Sequence, residues 1–282
     1  MKSFTFLLLL LPSIIFCQDD LLTEIDTEET SNENVTSVFK ALKIVNFEST
    51  KLVAHKELTL IIAHRFGSIE DGFENFFGLD DAVTRINFVY GLTEWLNIGV
   101  SRSSFQKIYQ GSLKFKIVSQ KRGGFPVTIV SNNDILVNTA LDEANFPGLE
   151  FVDRLGYATQ LLISSKITKG LSLQVIPTFF HDNFVPVDEQ ENSQYAIGFG
   201  GRIKISSRWS INADYGYHLN RAESSPFVNP LSIGVDLETG GHVFQMHFTN
   251  AQPMNTNGFL GQATGDWSEG DIYFGFNLSR VF

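Results

Sequence analysis

The C-terminal residues 270–282, GDIYFGFNLSRVF, alternate between apolar and polar side chains. The apolar row contains Ile272, Phe274, Phe276, Leu278 and the terminal Phe282, and the polar row contains Asp271, Tyr273, Gly275, Asn277 and Ser279. Only Arg280 interrupts the apolar row. Because successive side chains of a β-strand point to opposite faces, this pattern predicts a strand with one apolar and one polar face.

The same two-residue period recurs upstream and predicts about twelve strands in total. It is clearest from Tyr195 to Ile205, from Trp209 to His218 and from Leu231 to Glu238. Other strands are predicted to begin near Lys56, Val83, Leu96, Tyr109, Val127, Arg154, Leu171 and His242, and the first and fifth of these alternate least regularly. The 26 Phe and 23 Gly, with only 18% charged residues, also favour an all-β chain over a helical one.

The connections between the predicted strands alternate in length. Short joins lie at Thr93–Trp95, Thr168–Gly170, Ser206–Arg208 and Thr239–Gly241, with a somewhat longer one at 120–125, and long joins lie at 67–82, 139–153, 181–193, 219–229 and 250–270. The join after Arg102 belongs by position to the long connections, but it is short. Short turns at one rim and long loops at the other are typical of a transmembrane antiparallel up-and-down β-barrel with periplasmic turns and extracellular loops.

The direction of the apolar rows separates a membrane barrel from a soluble one. In lipid, strands must pair around a closed barrel with apolar side chains outside, whereas a soluble β-sandwich or lipocalin-like barrel turns the same rows inward. The polar rows here contain mostly Gly, Ser, Asn and Gln rather than the Lys and Glu of water-facing strands. Aromatic residues near strand ends, such as Tyr90, Trp95, Trp209 and Tyr217, suit an interfacial girdle. These features favour the membrane barrel.

Residues 1–17, MKSFTFLLLLLPSIIFC, have the order of a secretory signal peptide, with Lys2 before a short apolar run and Gln18 after it. In an alternative reading Cys17 is the lipidated first residue of a lipoprotein, but the preceding Phe16 is bulky where such a site needs a small residue. No later stretch is long and apolar enough for a transmembrane helix. Export together with the barrel pattern predicts the bacterial outer membrane.

Residues 18–54 are predicted to be an acidic periplasmic tether and lead-in, followed by the barrel at 55–282. Between positions 19 and 33 the chain carries seven carboxylates and no Lys or Arg, which indicates a solvated tether. Residues 35–54 are mixed in pattern, and no structure is predicted for them.

Six charged residues are predicted to share the lumen as a charge network, because they lie on the inward rows: Lys116, Arg202, Lys204, Asp214, Asp236 and Glu238. Charges confined together are expected to pair, since burying them singly is costly. The alternative is a transverse field that orients solutes in a narrow pore. A barrel of about twelve strands is intermediate in size between filled barrels and conducting ones. The strand count therefore does not show whether the lumen is open or filled.

Other classes of site find little support. One Cys excludes a disulfide framework and a cysteine zinc site, and a net charge of -10 argues against nucleic acid. His242 and His247 have opposite parity on one strand, so they are not expected to share a metal. The chain has no GxSxG, HExxH or phosphate-binding loop motif, so no catalytic residue, metal or cofactor is predicted.

The first long loop is a further candidate surface. Phe73, Phe76 and Phe77 stand at helical spacing, which predicts a short amphipathic helix with its aromatic side chains packed on the barrel rim.

The chain resembles the bacterial β-barrel family of domain of unknown function 5777 over about residues 39–282. The resemblance rests on HRFG at 64–67, FFGLDDA at 76–82, RINFVYGLTEWLNIG at 85–99, ETGGHVFQMHFTNAQ at 238–252 and the C-terminal stretch. It implies an outer-membrane barrel without an established activity. The terminal Phe282 resembles the signal by which such barrels reach the barrel-assembly machinery. Expected partners are that machinery, outer-membrane lipid and a periplasmic protein.

Three hypotheses of function follow. The first is a narrow, porin-like channel or transport-associated barrel. The second is a non-conducting membrane scaffold that docks a partner through its loops or N-terminal tether. The third, a membrane-embedded lipid hydrolase, lacks a recognisable Ser/His motif in the sequence. An open lumen would favour the first hypothesis, and a filled one the second.

Overall fold

The computed structural model describes residues 34–35, 38–70, 72–185, 187 and 189–282, so the predicted signal peptide and most of the tether lie outside it. Twelve antiparallel strands form a closed barrel in which each strand pairs with its neighbours in sequence and β1 pairs with β12. They are β1 (Leu58–Ser68), β2 (Ala82–Gly91), β3 (Leu96–Ser103), β4 (Ile108–Val118), β5 (Thr128–Asn138), β6 (Leu155–Lys166), β7 (Leu171–Asp182), β8 (Ser193–Lys204), β9 (Trp209–His218), β10 (Leu231–Glu238), β11 (His242–Thr249) and β12 (Tyr273–Val281). The predicted fold is confirmed.

The ends of the barrel wall are joined through the C-terminus. Leu58 and Phe282 exchange two backbone hydrogen bonds, of 3.2 and 2.8 Å, and the β1–β12 ladder runs on from Thr59 opposite Val281. Closure leaves no strand edge with unpaired backbone groups, which is the condition for crossing a bilayer with strands.

The apolar rows face outward and the polar rows face the lumen. On β10, Ile233 is 48% exposed while its neighbour Ser232 is fully buried, and on β9 Ile211 is 38% exposed while Asn212 is buried. A water-soluble barrel would bury the isoleucines, so the arrangement has the polarity of a membrane barrel.

The first long loop differs from its prediction. It contains one 3-10 turn, Gly72–Asn75, in place of an amphipathic helix, and Phe73 is 84% exposed rather than packed on the rim. The backbone at Phe76 and Phe77 has φ of 50° and 57°, and Gly78 lies against the Gly67 backbone. Left-handed residues end a right-handed helix, so helical spacing of the phenylalanines was misleading.

One α-helix, α1 (Thr256–Gly261), lies in the long connection between β11 and β12. No helix among the described residues is long and apolar enough to cross a membrane.

Candidate functional site

The lumen is filled from both rims. Residues 38–54, here called the plug segment, enter from the short-turn rim, and residues 250–265, here called the loop insert, enter from the long-loop rim with α1. The plug segment reverses direction deep in the barrel, where Lys43 bridges to Glu48 and the N–H of Ile44 donates to the carbonyl of Phe47. The rings of Phe47 and Phe259 meet edge to face at 4.8 Å. The plug segment and the loop insert therefore touch inside the barrel.

An apolar core joins the plug segment, the loop insert and the barrel wall. It contains Val38, Phe39, Ile44 and Phe47 from the plug segment, Ala251, Phe259, Leu260 and Ala263 from the loop insert, and Val130, Ala158, Leu162, Ile176, Phe180 and Ala196 from β5 to β8. All of these side chains are buried. Burial of large apolar side chains contributes about 1.5–3 kcal/mol each, so this core holds the lumen closed.

Glycines on the wall make room for this core. A Cβ at Gly198 would lie 2.5 Å from the Phe47 ring, one at Gly200 would lie 2.2 Å from Ile44, and one at Gly216 would lie 2.6 Å from Leu260. The GFGG stretch at 198–201 is thus explained by close packing on its two inward glycines.

Polar wall side chains bind the irregular backbone of the plug segment. One carboxylate oxygen of Asp214 accepts the N–H groups of Val45, Asn46 and Phe47 at 3.0, 2.8 and 3.0 Å. Asn97 accepts the N–H of Val53 at 2.8 Å and donates to its carbonyl at 3.0 Å. Such side chains replace the strand or helix partners that this backbone lacks.

Gln174 and Gln245 extend the same pattern to other parts of the plug segment. Gln174 donates to the carbonyl of Glu48 at 2.7 Å and accepts the N–H of Thr50 at 3.1 Å. Gln245 donates to the carbonyl of Ile44 at 3.0 Å. The inward polar side chains of the wall therefore form the surface that binds the plug segment.

The six predicted lumen charges are placed as follows. Asp214 binds the plug backbone, and Glu238 forms an ion pair with Lys40 of the plug segment. Ser210 on β9 pairs with Lys204 on β8 and with Asp236 on β10. Arg202 on β8 pairs with the next inward residue of β9, Asn212. Lys116 lies apart from them on β4. A single network of all six stays a prediction.

A buried ion trio was missed by the sequence reasoning. Glu48 of the plug segment lies 2.9 Å from the Lys43 ammonium group and 3.2 Å from that of Lys114. Arg65 and Arg85 are also buried in the lumen. Lys114, Arg65 and Arg85 are at inward positions, so parity could have found them. Glu48, which pairs with Lys114, comes from a segment without a period.

The loop insert is fixed by an arginine of the neighbouring loop. Arg221 donates to the carbonyl of Leu260 at 2.9 Å and to that of Val228 at 3.1 Å. Burial lowers the pKa of the Arg221 guanidinium, although an arginine stays charged under ordinary conditions.

A cavity of about 330 Å³ opens at the short-turn rim beside Lys40, Val53 and Val243. Three cavities deeper in the barrel are small. One beside Asn46 and Arg65 has a volume of about 10 Å³, one beside Glu48 and Lys114 about 20 Å³, and one beside Asn257 about 30 Å³. A single water needs about 10–15 Å³, so each can hold no more than one or two waters.

An open pocket of about 670 Å³ lies at the short-turn rim, where Val35 leaves the lumen. It is lined by the turns after β4, β6 and β8, which supply Lys121, Arg122, Lys166, Lys169 and Lys204. No Asp or Glu is among its described lining residues. We call it the basic rim pocket.

The histidines do not form a metal site in the described part of the chain, where no group of three suitable ligands occurs. His247 is buried toward the lumen, and His242 lies on the opposite face of β11, as their parity predicts.

A closed twelve-stranded barrel with outward apolar rows is a transmembrane β-barrel of the outer-membrane class. Residues 39–282 match the family described as a membrane-bound β-barrel domain, domain of unknown function 5777, and the chain belongs to this family. No curated protein matches the sequence.

Solved structures with a similar fold are bacterial outer-membrane proteins. The KdgM porin in complex with disordered oligogalacturonate is 6% identical, with a TM-score of 0.50 over 80% of this chain and 99% of that one. The COG4313 outer membrane channel from Pseudomonas putida F1 is 10% identical, with a TM-score of 0.47 over 82% and 97%. Omp33 from Acinetobacter baumannii is 7% identical, with a TM-score of 0.45 over 80% and 98%. The protein is thus located in the bacterial outer membrane, and its short turns face the periplasm.

Proposed function

We propose that this protein is a closed, non-conducting outer-membrane scaffold that docks an acidic periplasmic partner at its basic rim pocket. The filled lumen is the observation that carries this proposal. A porin needs a water-filled path, whereas here the inward polar side chains bind the plug segment and the wall of β5 to β8 packs against it.

The plug segment has the properties of a permanent part of the fold. Its removal would break the Lys43–Glu48–Lys114 trio, leave Asp214 without its backbone donors and expose the core around Phe47. Each broken buried contact costs about 1–3 kcal/mol, so spontaneous withdrawal is strongly disfavoured.

The purified protein is expected to give no conductance steps in planar bilayers. The experiment needs proof of insertion, for which protease protection of the reconstituted barrel serves, and a known porin as a positive control. Stable steps from the full-length chain would contradict the scaffold and support the channel.

The partner is expected to be acidic because the rim pocket presents the ammonium groups of Lys121 and Lys169 and no carboxylate among its described lining residues. Lys121 and Lys169 are exposed and form no ion pair with any described residue. Replacing both by Glu should abolish salt-sensitive cross-linking of a periplasmic protein to the barrel, since like charges then face the partner. Lys56→Glu, at an exposed position on the same rim outside the pocket, is the matched control and should leave cross-linking intact. Equal cross-linking by both variants would exclude this pocket as the docking site.

A further inference from the structure

Ser193, His181 and Asn183 at the extracellular rim are linked by two side-chain hydrogen bonds. They belong to neither the plug segment nor the basic rim pocket. Oγ of Ser193 lies 2.9 Å from Nδ1 of His181, and Nε2 of His181 lies 2.9 Å from Oδ1 of Asn183. All three residues are half-buried at the ends of β7 and β8.

The tautomer of His181 follows from the contacts of Asn183. The Asn183 amide nitrogen donates to the carbonyl of Val152 at 2.7 Å, so its oxygen is the atom that faces His181. An amide oxygen only accepts, and therefore Nε2 of His181 carries the proton and Nδ1 has a free lone pair. The hydroxyl of Ser193 then donates to Nδ1. Nucleophile, base and orienting group follow one another as in serine hydrolases, with the roles of Nδ1 and Nε2 exchanged.

The local structure holds this arrangement in place. His181 and Ser193 are paired residues at the end of the β7–β8 ladder, and the ring of Tyr157 lies 6.4 Å from that of His181. The side chain of Asn220 donates to the carbonyl of Ser193 at 3.0 Å and accepts the N–H of Tyr195 at 2.9 Å. The backbone that follows the nucleophile is thus fixed.

We propose that Ser193 and His181 are the catalytic nucleophile and base of an acyl-ester hydrolase, with Asn183 as a positioning residue. Oγ of Ser193 attacks the ester carbonyl carbon while Nδ1 of His181 takes the hydroxyl proton. The bond from that carbon to the alcohol oxygen breaks, the alcohol leaves with the proton, and an acyl-serine remains. A water molecule, deprotonated by His181, then attacks the acyl carbon. The bond to Oγ breaks, Ser193 regains its proton, and the carboxylic acid leaves.

The position of the triad identifies the substrate class as membrane lipid. The strand neighbours Phe180 and Gln194 point into the lumen, so His181 and Ser193 face outward. On the same outward face, one step toward the membrane, the rings of Phe179 and Tyr195 lie 5.5 Å apart and are exposed. Aromatic residues at this height mark the interface of an outer-membrane barrel, where lipid ester groups lie. An acyl chain would extend from Ser193 along these rings.

The test measures fatty acid release from diacyl phospholipid in mixed micelles by the purified full-length barrel. Ser193→Ala should abolish release, and His181→Ala should lower it by about 10²- to 10⁴-fold, the usual contribution of a general base. Asn183→Ala should lower kcat, and Asn183→Asp, which still accepts from Nε2, should restore it. A fluorophosphonate probe should label Ser193 in the wild type.

A second hydroxyl–imidazole pair provides the matched control. Oγ1 of Thr84 lies 3.1 Å from Nδ1 of His64, but no described side chain hydrogen-bonds to Nε2 of His64. His64→Ala should therefore leave release unchanged. Fatty acid release by the wild type that equals that of a folded Ser193→Ala variant, or probe labelling confined to another serine, would overturn the proposal. Neither result bears on the bilayer experiment, so the two proposals fail separately.

Discussion

Deletion of residues 38–54 should convert the closed barrel into a conducting pore. The deletion removes the plug residues of the apolar core. It also exposes the inward polar side chains of β1 to β4 to water, because these side chains contact the plug segment in the intact protein. The strand ladders do not pass through the plug segment, so the barrel wall should survive. Discrete conductance steps in planar bilayers are the expected result.

The pore should prefer anions only weakly. With residues 38–54 removed, the buried charges of the wall are Arg65, Arg85, Lys114 and Arg202 against Asp134, Asp214 and Asp236. A pore lined by excess positive charge attracts anions and repels cations. The reversal potential in a potassium chloride gradient measures this preference.

Deletion of residues 18–33 is the matched control, since it removes a similar length of chain and leaves the plug segment present. That variant should stay closed. A folded, inserted barrel without residues 38–54 that still fails to conduct would show that the loop insert alone seals the lumen.

The barrel could be predicted from sequence because each strand carries its own information. Strands β9 and β10 show which residues face lipid through a two-residue period that needs no knowledge of distant partners. All twelve strands begin within two residues of their predicted starts.

The plug segment could not be predicted in the same way because its structure depends on distant contacts. Asn46 and Asp214 are 168 residues apart in sequence, so their hydrogen bond depends on the tertiary fold. Irregular backbone has no period, so the mixed pattern of residues 35–54 gave no signal.

The rim triad was hidden for a related reason. Ser193 and His181 belong to different strands and become neighbours only through the β7–β8 register, and Asn183 is oriented by Val152 of the adjacent loop before β6. No linear motif contains these residues, so a motif search misses them. The ion-pair partner of Glu238 could not be predicted for the same reason, because Lys40 comes from the plug segment.

Asp214→Ala should cause a large loss of stability. One carboxylate oxygen accepts three backbone N–H groups of the plug segment, and Ala would leave all three without an acceptor in a buried site. An unsatisfied buried donor costs about 1–3 kcal/mol, so a decrease of at least about 3 kcal/mol in the free energy of unfolding is expected. Urea unfolding of the barrel in lipid vesicles measures it.

Asp214→Asn separates hydrogen bonding from charge. The amide keeps one acceptor oxygen in nearly the same volume, so it should retain part of the stability that Ala loses. Asp266→Ala, at an exposed loop position where the carboxylate accepts hydrogen bonds from Ser268, should lower the free energy of unfolding by much less than Asp214→Ala. If Asp214→Ala proved as harmless as Asp266→Ala, the plug segment would not be held by this carboxylate. The ion trio and the apolar core would then have to keep the lumen closed by themselves.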